Sequence, residues 1–362
     1  MSGRLPFHRA LHSLRLRPPI VTGAEARGRR LFLRAGVAAA VGVAASSIQT
    51  FSFAAAAQAN QGQGDDVEAF VRALYEAKDR LDARTFASYF ADPHDYLDPV
   101  SGYCALLEPP KAVEDRYGNG MFKRIAVPGR LCRFLHATGD LRYGLVAECA
   151  NLPGGVFNDG CDLMAVMELK AGRISRNTDY WDSRQLGAGA SAVHPDGAPR
   201  QRDACRPSVI PGDPPHSSRE MLDFARRFHD ALAAGRPERL MTFFAEDALF
   251  IHPLLHRGPA GYDLFNRGTQ LRGKASIERF LKGAQPLLPD ATNSTIVNVV
   301  GGKAGGGIEW KAGGIYARQG LTRDGIRGVT SFDLIGGLVQ RMSVKFDTMQ
   351  MTADQRAAIV GR

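Results

Sequence analysis

The stretch Phe90-Ala91-Asp92-Pro93-His94-Asp95-Tyr96-Leu97-Asp98-Pro99-Val100 returns in degraded form as Phe244-Ala245-Glu246-Asp247-Ala248-Leu249-Phe250-Ile251-His252-Pro253-Leu254. The two align without a gap: Phe70 falls on Phe224, Phe90 on Phe244, Ala91 on Ala245 and Pro99 on Pro253, with acidic Asp92 on acidic Glu246. The offset is 154 residues throughout, as from 90 to 244. A second match lies downstream, where Gly172 to Ser183 aligns with Gly337 to Thr348 at an offset of 165, as from 172 to 337. Each of these segments ends in an aspartate and a hydroxyl residue, Asp182-Ser183 and Asp347-Thr348. The chain therefore reads as one domain written twice.

Outward from the first match, the apolar residues Val67, Phe70, Val71, Leu74, Ala77 and Leu81 recur at intervals of three and four, the spacing of an amphipathic helix. A short helix over 83–90 and another over 111–117 are expected, with 96–100 extended because Pro99 disfavours helical backbone at Asp98. Beyond Gly129 the period shifts toward two, predicting strands over 131–137, 141–150, 161–170 and 173–181. The second copy repeats this order, with helices over 219–234, 237–244 and 274–283 and strands over 249–252, 296–300, 307–318, 325–334 and 338–347. Helices followed by a run of strands make the α+β pattern. The glycines at 301, 302 and 305–307 follow no strand-to-helix turn, so they read as a hairpin rather than a phosphate loop.

The domain boundaries follow. Residues 1–59 form a leader, 60–65 a polar mature N-terminus, 66–187 the first copy and 188–218 a linker rich in Ala, Gly, Pro and Ser. Residues 219–350 form the second copy and 351–362 a tail. The leader carries eight Arg, no Lys and one acid, Glu25. It runs from a basic region through Arg29-Arg30-Leu31-Phe32-Leu33 and a weakly apolar stretch to Ala57-Gln58-Ala59, the order of an export signal with its cleavage site. The paired arginines resemble a twin-arginine signal, implying the twin-arginine export machinery as a partner and a periplasmic or secreted address. The alternative is an uncleaved anchor, since the run from Ala35 to Ala57 approaches the ~20 residues of a membrane span.

The formal net charge of +9 is concentrated in that leader. Without it 38 basic residues face 36 acidic ones, which leaves no basic patch and argues against a nucleic-acid partner. Cys104, Cys132, Cys149 and Cys161 lie in the first copy, Cys205 lies in the linker, and the second copy has none. The pairing is open in the sequence, with Cys149 and Cys161, either side of an Asn-Leu-Pro-Gly-Gly turn, the first pair to test. Their spacing fits no zinc pattern, and no metal or cofactor is expected.

The element order, the Phe-Ala-Asp at 90–92, the Asp98-Pro99 eight residues after Phe90 and the strand ending Tyr180-Trp181-Asp182 together resemble the nuclear transport factor 2-like superfamily. The SnoaL-like and ketosteroid-isomerase-like members are the most similar. The resemblance covers about 66–187 and 219–350. It implies two cone-shaped, cystatin-like α+β barrels, each a curved antiparallel sheet around N-terminal helices with an apolar pocket at the open end. It also implies cofactor-free chemistry such as isomerisation, dehydration, aldol cyclisation or epoxide hydrolysis, although the same fold serves purely for binding or dimerisation.

By that resemblance Asp98 occupies the place of the isomerases' catalytic base. A carboxylate in an apolar cavity has its pKa raised toward the working pH and can then move a proton between carbons. The competing reading is that Asp98 accepts a backbone hydrogen bond ahead of Pro99. The family's oxyanion-hole tyrosine falls on Leu74, with Tyr75 one residue out of phase, and its protonated aspartate falls near Ala165. The standard oxyanion hole is absent. Tyr75, His94, Tyr96, Tyr103, His136, Glu148 and Asp182 are the other candidates for the first cavity, with His94 also readable as a loop residue and Asp182 as a cap. In the second copy His252 replaces Asp98, and His229, Tyr262, Arg272, Trp310 and Asp347 are the further pocket candidates. The segment 256–266 has the composition of a lid or of a plain surface loop. The sequence thus favours an exported lyase or isomerase acting on a small hydrophobic hydroxylated or carbonyl compound in the first cavity. The alternative is a small-molecule binding protein or a dimerisation module whose copies pair with each other or with a second chain.

Overall fold

The computed structural model describes residues 67–100, 103–121, 127–152, 160–183, 215–255, 270–284, 294–312 and 326–348. The leader, Cys205, Tyr262, the segment 256–266 and the tail lie outside the described residues. No helix among the described residues is long and apolar enough to cross a membrane.

The fold is α+β, with two mixed six-stranded sheets, each preceded by helices. In the first module α1 (Val67–Asp79) and α2 (Ala83–Ala87) precede β1 (Phe90–Asp98) and β2 (Tyr103–Glu108). Then come α3 (Pro110–Asp115), a π-helical stretch (Arg116–Met121), β3 (Arg133–Asp140), β4 (Gly144–Asn151), β5 (Cys161–Lys170) and β6 (Arg173–Trp181). In the second module α4 (Arg219–Ala233), α5 (Pro237–Met241), β7 (Phe244–Ile251), β8 (Gln270–Arg272) and α6 (Lys274–Ala284) precede β9 (Ser294–Gly302), β10 (Gly305–Ala312), β11 (Ile326–Ile335) and β12 (Leu338–Phe346). The sheet orders are equivalent, β2-β1-β6-β5-β4-β3 and β8-β7-β12-β11-β10-β9.

The two sequence offsets meet in the one parallel pairing of each sheet. Phe90 lies opposite Ile174, Asp95 opposite Arg176, Tyr96 opposite Asn177 and Leu97 opposite Thr178. The second sheet repeats this as Phe244 with Val339, Leu249 with Arg341, Phe250 with Met342 and Ile251 with Ser343. A register shift interrupts both ladders at the same place. These first strands begin at Phe90 and Phe244, earlier than the proline argument alone places them, because the last strand of the sheet supplies their hydrogen-bond partners. The short edge strands β2 and β8 carry too little alternation to be seen in the sequence.

One face of each sheet packs on its own helices and the other faces the sheet of the other module. Along β4, Leu145, Ala147 and Cys149 join the first core, while Val146 packs with Met164, Val166, Tyr180, Val300 and Val329 between the sheets. That period of two is what a strand buried on both faces must show. The glycine run at 301–307 forms the β9–β10 hairpin, and its missing side chains have a purpose. A Cβ on Gly302 would strike Asp140, on Gly305 Thr138, and on Gly307 Val146, so the hairpin must be bare to approach β3 and β4.

Polar contacts across the interface obey an approximate two-fold relation. Arg341 makes two hydrogen bonds of 2.7 Å to the Glu148 carboxylate, and Arg176 bonds Glu309 at 2.7 Å. Arg176 and Arg341 are equivalent at the 165 offset, and Glu148 and Glu309 are equivalent positions of β4 and β10. The end of the sheet is tied in the same reciprocal manner. Asp182 accepts from the Thr348 amide at 3.2 Å and hydroxyl at 2.7 Å, and Asp347 accepts from the Ser183 amide at 3.1 Å and hydroxyl at 2.7 Å. Each aspartate thus caps the other copy.

Candidate functional site

The two interiors are built on the same positions with opposite chemistry. In the first cone, helix α1 contributes Tyr75 and Lys78, and the sheet floor contributes Tyr96, Asn177 and Asp179. At the same positions in the second cone stand His229 and Leu232 on α4, then Phe250, Met342 and Val344. Four polar or charged floor and wall positions have become apolar.

The first interior closes on itself. The Tyr96 hydroxyl donates to Asp179 at 2.5 Å and lies 2.9 Å from the Tyr117 hydroxyl, while Asn177 donates to Asp179 at 2.8 Å. Burial works against the Lys78 ammonium, but the acidic groups around it, Tyr117, Cys132 and Asp179, more than offset this and hold its pKa above the ordinary value. Lys78 also lies over the Phe86 and Tyr117 rings at 5.7 and 5.6 Å. Burial, with the neighbouring Cys149 and Cys132, pushes the Tyr75 hydroxyl well above its usual range, and the hydroxyl has no hydrogen-bond partner among the described residues. About 260 Å³ of empty space remains, the solvent at its mouth included.

The second interior is open, with about 810 Å³ of empty space, again including the solvent at its mouth. Its walls are Phe228, Phe244, Phe250, Leu281, Ile308, Trp310, Met342, Val344 and Phe346, and its polar groups are few: His229, His252, Ser294 and Thr330. Nε2 of His229 lies 2.8 Å from the Ser294 hydroxyl of β9, and the Trp310 indole donates to Thr330 at 3.0 Å. Trp310 fits only because Gly328 is bare, since a Cβ there would meet the indole ring. His252 is buried and stacks on Phe250 at 5.6 Å with an interplanar angle of 18°, with Phe280 and Phe346 closing round it at 5.6 and 5.7 Å. A largely apolar cavity with a few oriented polar groups is the usual form of a small-molecule site.

The sequence candidates fall into three groups. Tyr75 and Tyr96 line the small first cavity, and His229, His252 and Trp310 line the large second one. Asp98 lines neither. Its carboxylate accepts from the Trp181 indole at 3.1 and 3.2 Å and from the Val100 amide at 3.0 Å. Its counterpart His252 packs on Phe346, the counterpart of Trp181, so polar pair and ring pair occupy one location. His94 is buried in β1, 4.8 Å from the Phe90 ring, with Nδ1 3.2 Å from the Ala91 carbonyl, and burial lowers its pKa. Glu148, His136, Asp182 and Asp347 belong to the intermodule contact, His136 through Asp333 at 3.0 Å. Tyr103 and Arg272 stand on the edge strands β2 and β8. Lys78 and Asp179 were not among the candidates, although the 154 offset already places Lys78 over Leu232.

The cysteines correct one expectation. Cys149 and Cys161 are both free and do not pair. Cys149 lies opposite Leu163, two residues along from Cys161, and such a diagonal spans roughly 7–8 Å, too far for a disulfide. Cys104 is held in a disulfide. No group of metal-ligating side chains occurs among the described residues.

The class that the architecture defines is α+β, with two mixed six-stranded sheets each preceded by helices and an open cavity in the second module. Residues 225–342, most of the second module, match the SnoaL-like domain family. Similar solved structures include a SnoaL-like protein of unknown function from Burkholderia thailandensis E264, at 15% identity over 35% of this chain and 94% of the other, TM-score 0.27. Another is an NTF2-like protein of unknown function from Mesorhizobium loti, at 16% identity over 39% and 98%, TM-score 0.26. A third is a protein with a cystatin-like fold from Methylobium petroleophilum PM1, at 22% identity over 36% and 79%, TM-score 0.26. No curated protein matches the chain.

Proposed function

We propose that the second cone is the working pocket and takes a small hydrophobic compound carrying a hydroxyl or carbonyl group. The reading rests on one observation: at positions where the first cone holds Lys78, Tyr96, Asn177 and Asp179, the second holds Leu232, Phe250, Met342 and Val344 around about 810 Å³ of empty space, the solvent at its mouth included. The apolar walls favour a ligand by removing its surface from water at roughly 25 cal/mol per Å². A hydroxyl or carbonyl would find its partners in His229, Ser294 and His252. A histidine can give and take protons near neutral pH, so cofactor-free proton transfer, as in an isomerase or dehydratase, is the chemistry these groups support. The first module then serves as a closed scaffold that covers the outer face of the second sheet. Export through the twin-arginine route is part of the same proposal and rests on the leader alone.

The test is native mass spectrometry of the full chain as purified, followed by incubation of any released compound with the protein in deuterated water. Exchange of carbon-bound hydrogen that is lost in His252→Ala and His229→Ala supports proton transfer. A ligand bound and returned without exchange would reduce the reading to a carrier.

A further inference from the structure

Two cysteines outside the working pocket come together in the first cone. Cys132 lies immediately before β3 and Cys149 within β4, where Phe134 is opposite Cys149. Their sulfur atoms are 2.6 Å apart, closer than unbonded sulfurs pack, and both residues are buried. The surroundings already draw this corner together. Asp79, at the end of α1, accepts from the Leu131 amide at 2.8 Å and from the Cys132 amide at 3.4 Å, which brings helix end, strand start and β4 to one point.

We propose that Cys132 and Cys149 are a disulfide site, and that the bond fixes the α1–β3–β4 corner of the first module. The second module has no equivalent, because the position of Cys149 in β4 is taken in β10 by Trp310. Cys161 stays out of the exchange: its thiol accepts from Asn151 Nδ2 at 3.6 Å and, among the described residues, is free. The oxidant is a small-molecule disulfide such as oxidised glutathione. The thiolate of one cysteine attacks an oxidant sulfur and expels one thiol, leaving a mixed disulfide. The other cysteine's thiolate then attacks the cysteine sulfur of that mixed disulfide and expels the second thiol. Two electrons pass from the cysteines to the oxidant, and their two protons leave on the two thiols released. Because both thiols are buried, exchange takes place during folding or when the β3–β4 corner opens. The crosslink closes a loop of 17 residues and limits the unfolded chain accordingly.

The experiment uses the full chain, reduced, unfolded and refolded with oxidised glutathione, then alkylated under denaturing conditions and mapped without reductant. The expected result is a linked peptide containing Cys132 and Cys149, with Cys161 alkylated. The thermal midpoint of the wild type should then fall on reduction by about 5 °C more than that of the Cys132→Ser, Cys149→Ser double variant. Alkylation of both Cys132 and Cys149 after oxidative refolding, or a link from either to Cys161, would overturn the proposal. So would equal loss of midpoint in wild type and double variant.

Discussion

Replacing Arg341 with alanine should be among the most damaging single changes at the interface between the modules. The guanidinium makes two charge-assisted bonds of 2.7 Å to Glu148, and the two side chains are only 14% and 10% exposed. Its removal leaves Glu148 with the Ser331 hydroxyl at 3.1 Å and the weaker influence of His136 and Lys345, which do not replace a paired guanidinium. Breaking a fully buried pair costs roughly 3–5 kcal/mol, and the residual exposure of this one lowers the expectation to about 2–4 kcal/mol. The double replacement Arg341→Met with Glu148→Leu removes both charges and should recover to within about 1 kcal/mol of wild type, because no orphaned charge remains. Equilibrium denaturation by guanidinium chloride, followed by circular dichroism, reads both values. A loss below about 0.5 kcal/mol for Arg341→Ala, or a double variant worse than the single, would refute the view that this pair joins the modules.

Four further outcomes follow from the same structure. Gly307→Ala should destabilise the protein by about 1–3 kcal/mol in a thermal melt, since the new methyl must displace the buried Val146 of the other module. Acid should weaken the fold in two stages. His94 has a folded pKa lowered by burial, so its contribution is complete above 6.5 and is lost as pH falls through the lower folded value. For Glu148, burial alone would raise the pKa, but Arg341 outweighs it and leaves the value below 4.5, so that its contribution goes only in stronger acid. A pH series of melts checks this, with Glu148→Gln removing the later stage. Tyr75→Phe deletes a buried hydroxyl that has no hydrogen-bond partner among the described residues, so stability should be unchanged or gain up to about 1 kcal/mol. Asp98→Asn should cost about 1 kcal/mol through weaker bonds to Trp181 and Val100 and leave ligand retention intact.

The fold was legible because its two sequence matches are also its two halves of one strand pairing. Once Phe90 is placed over Phe244 and Arg176 over Arg341, the parallel ladder of the first sheet specifies that of the second. The amphipathic helices and the strands over 161–170 and 173–181 carry their own periodicity. The site was less legible, because it depends on neighbours far apart in sequence. Asp98 and Trp181 are 83 residues apart and meet only through the parallel β1–β6 pairing. Glu148 looks like any polar residue of an alternating strand until the opposite module brings Arg341 to it. What the sequence did contain is the change from Lys78 to Leu232 and from Tyr96 to Phe250 at a constant offset. Its meaning appears only when the sheet shows that both positions face inward.

The central claim is that the second cone is open to an apolar ligand and the first is closed. It is tested most directly by titrating the full chain with the fluorescent apolar probe 1-anilinonaphthalene-8-sulfonate, in the wild type and in Val344→Phe and Tyr75→Phe variants. Val344 lines the second cavity and Tyr75 the first. The account predicts saturable binding by the wild type, at least a tenfold loss of affinity in Val344→Phe, and no change in Tyr75→Phe. Undiminished binding by a folded Val344→Phe protein, or loss of binding in Tyr75→Phe, would contradict it.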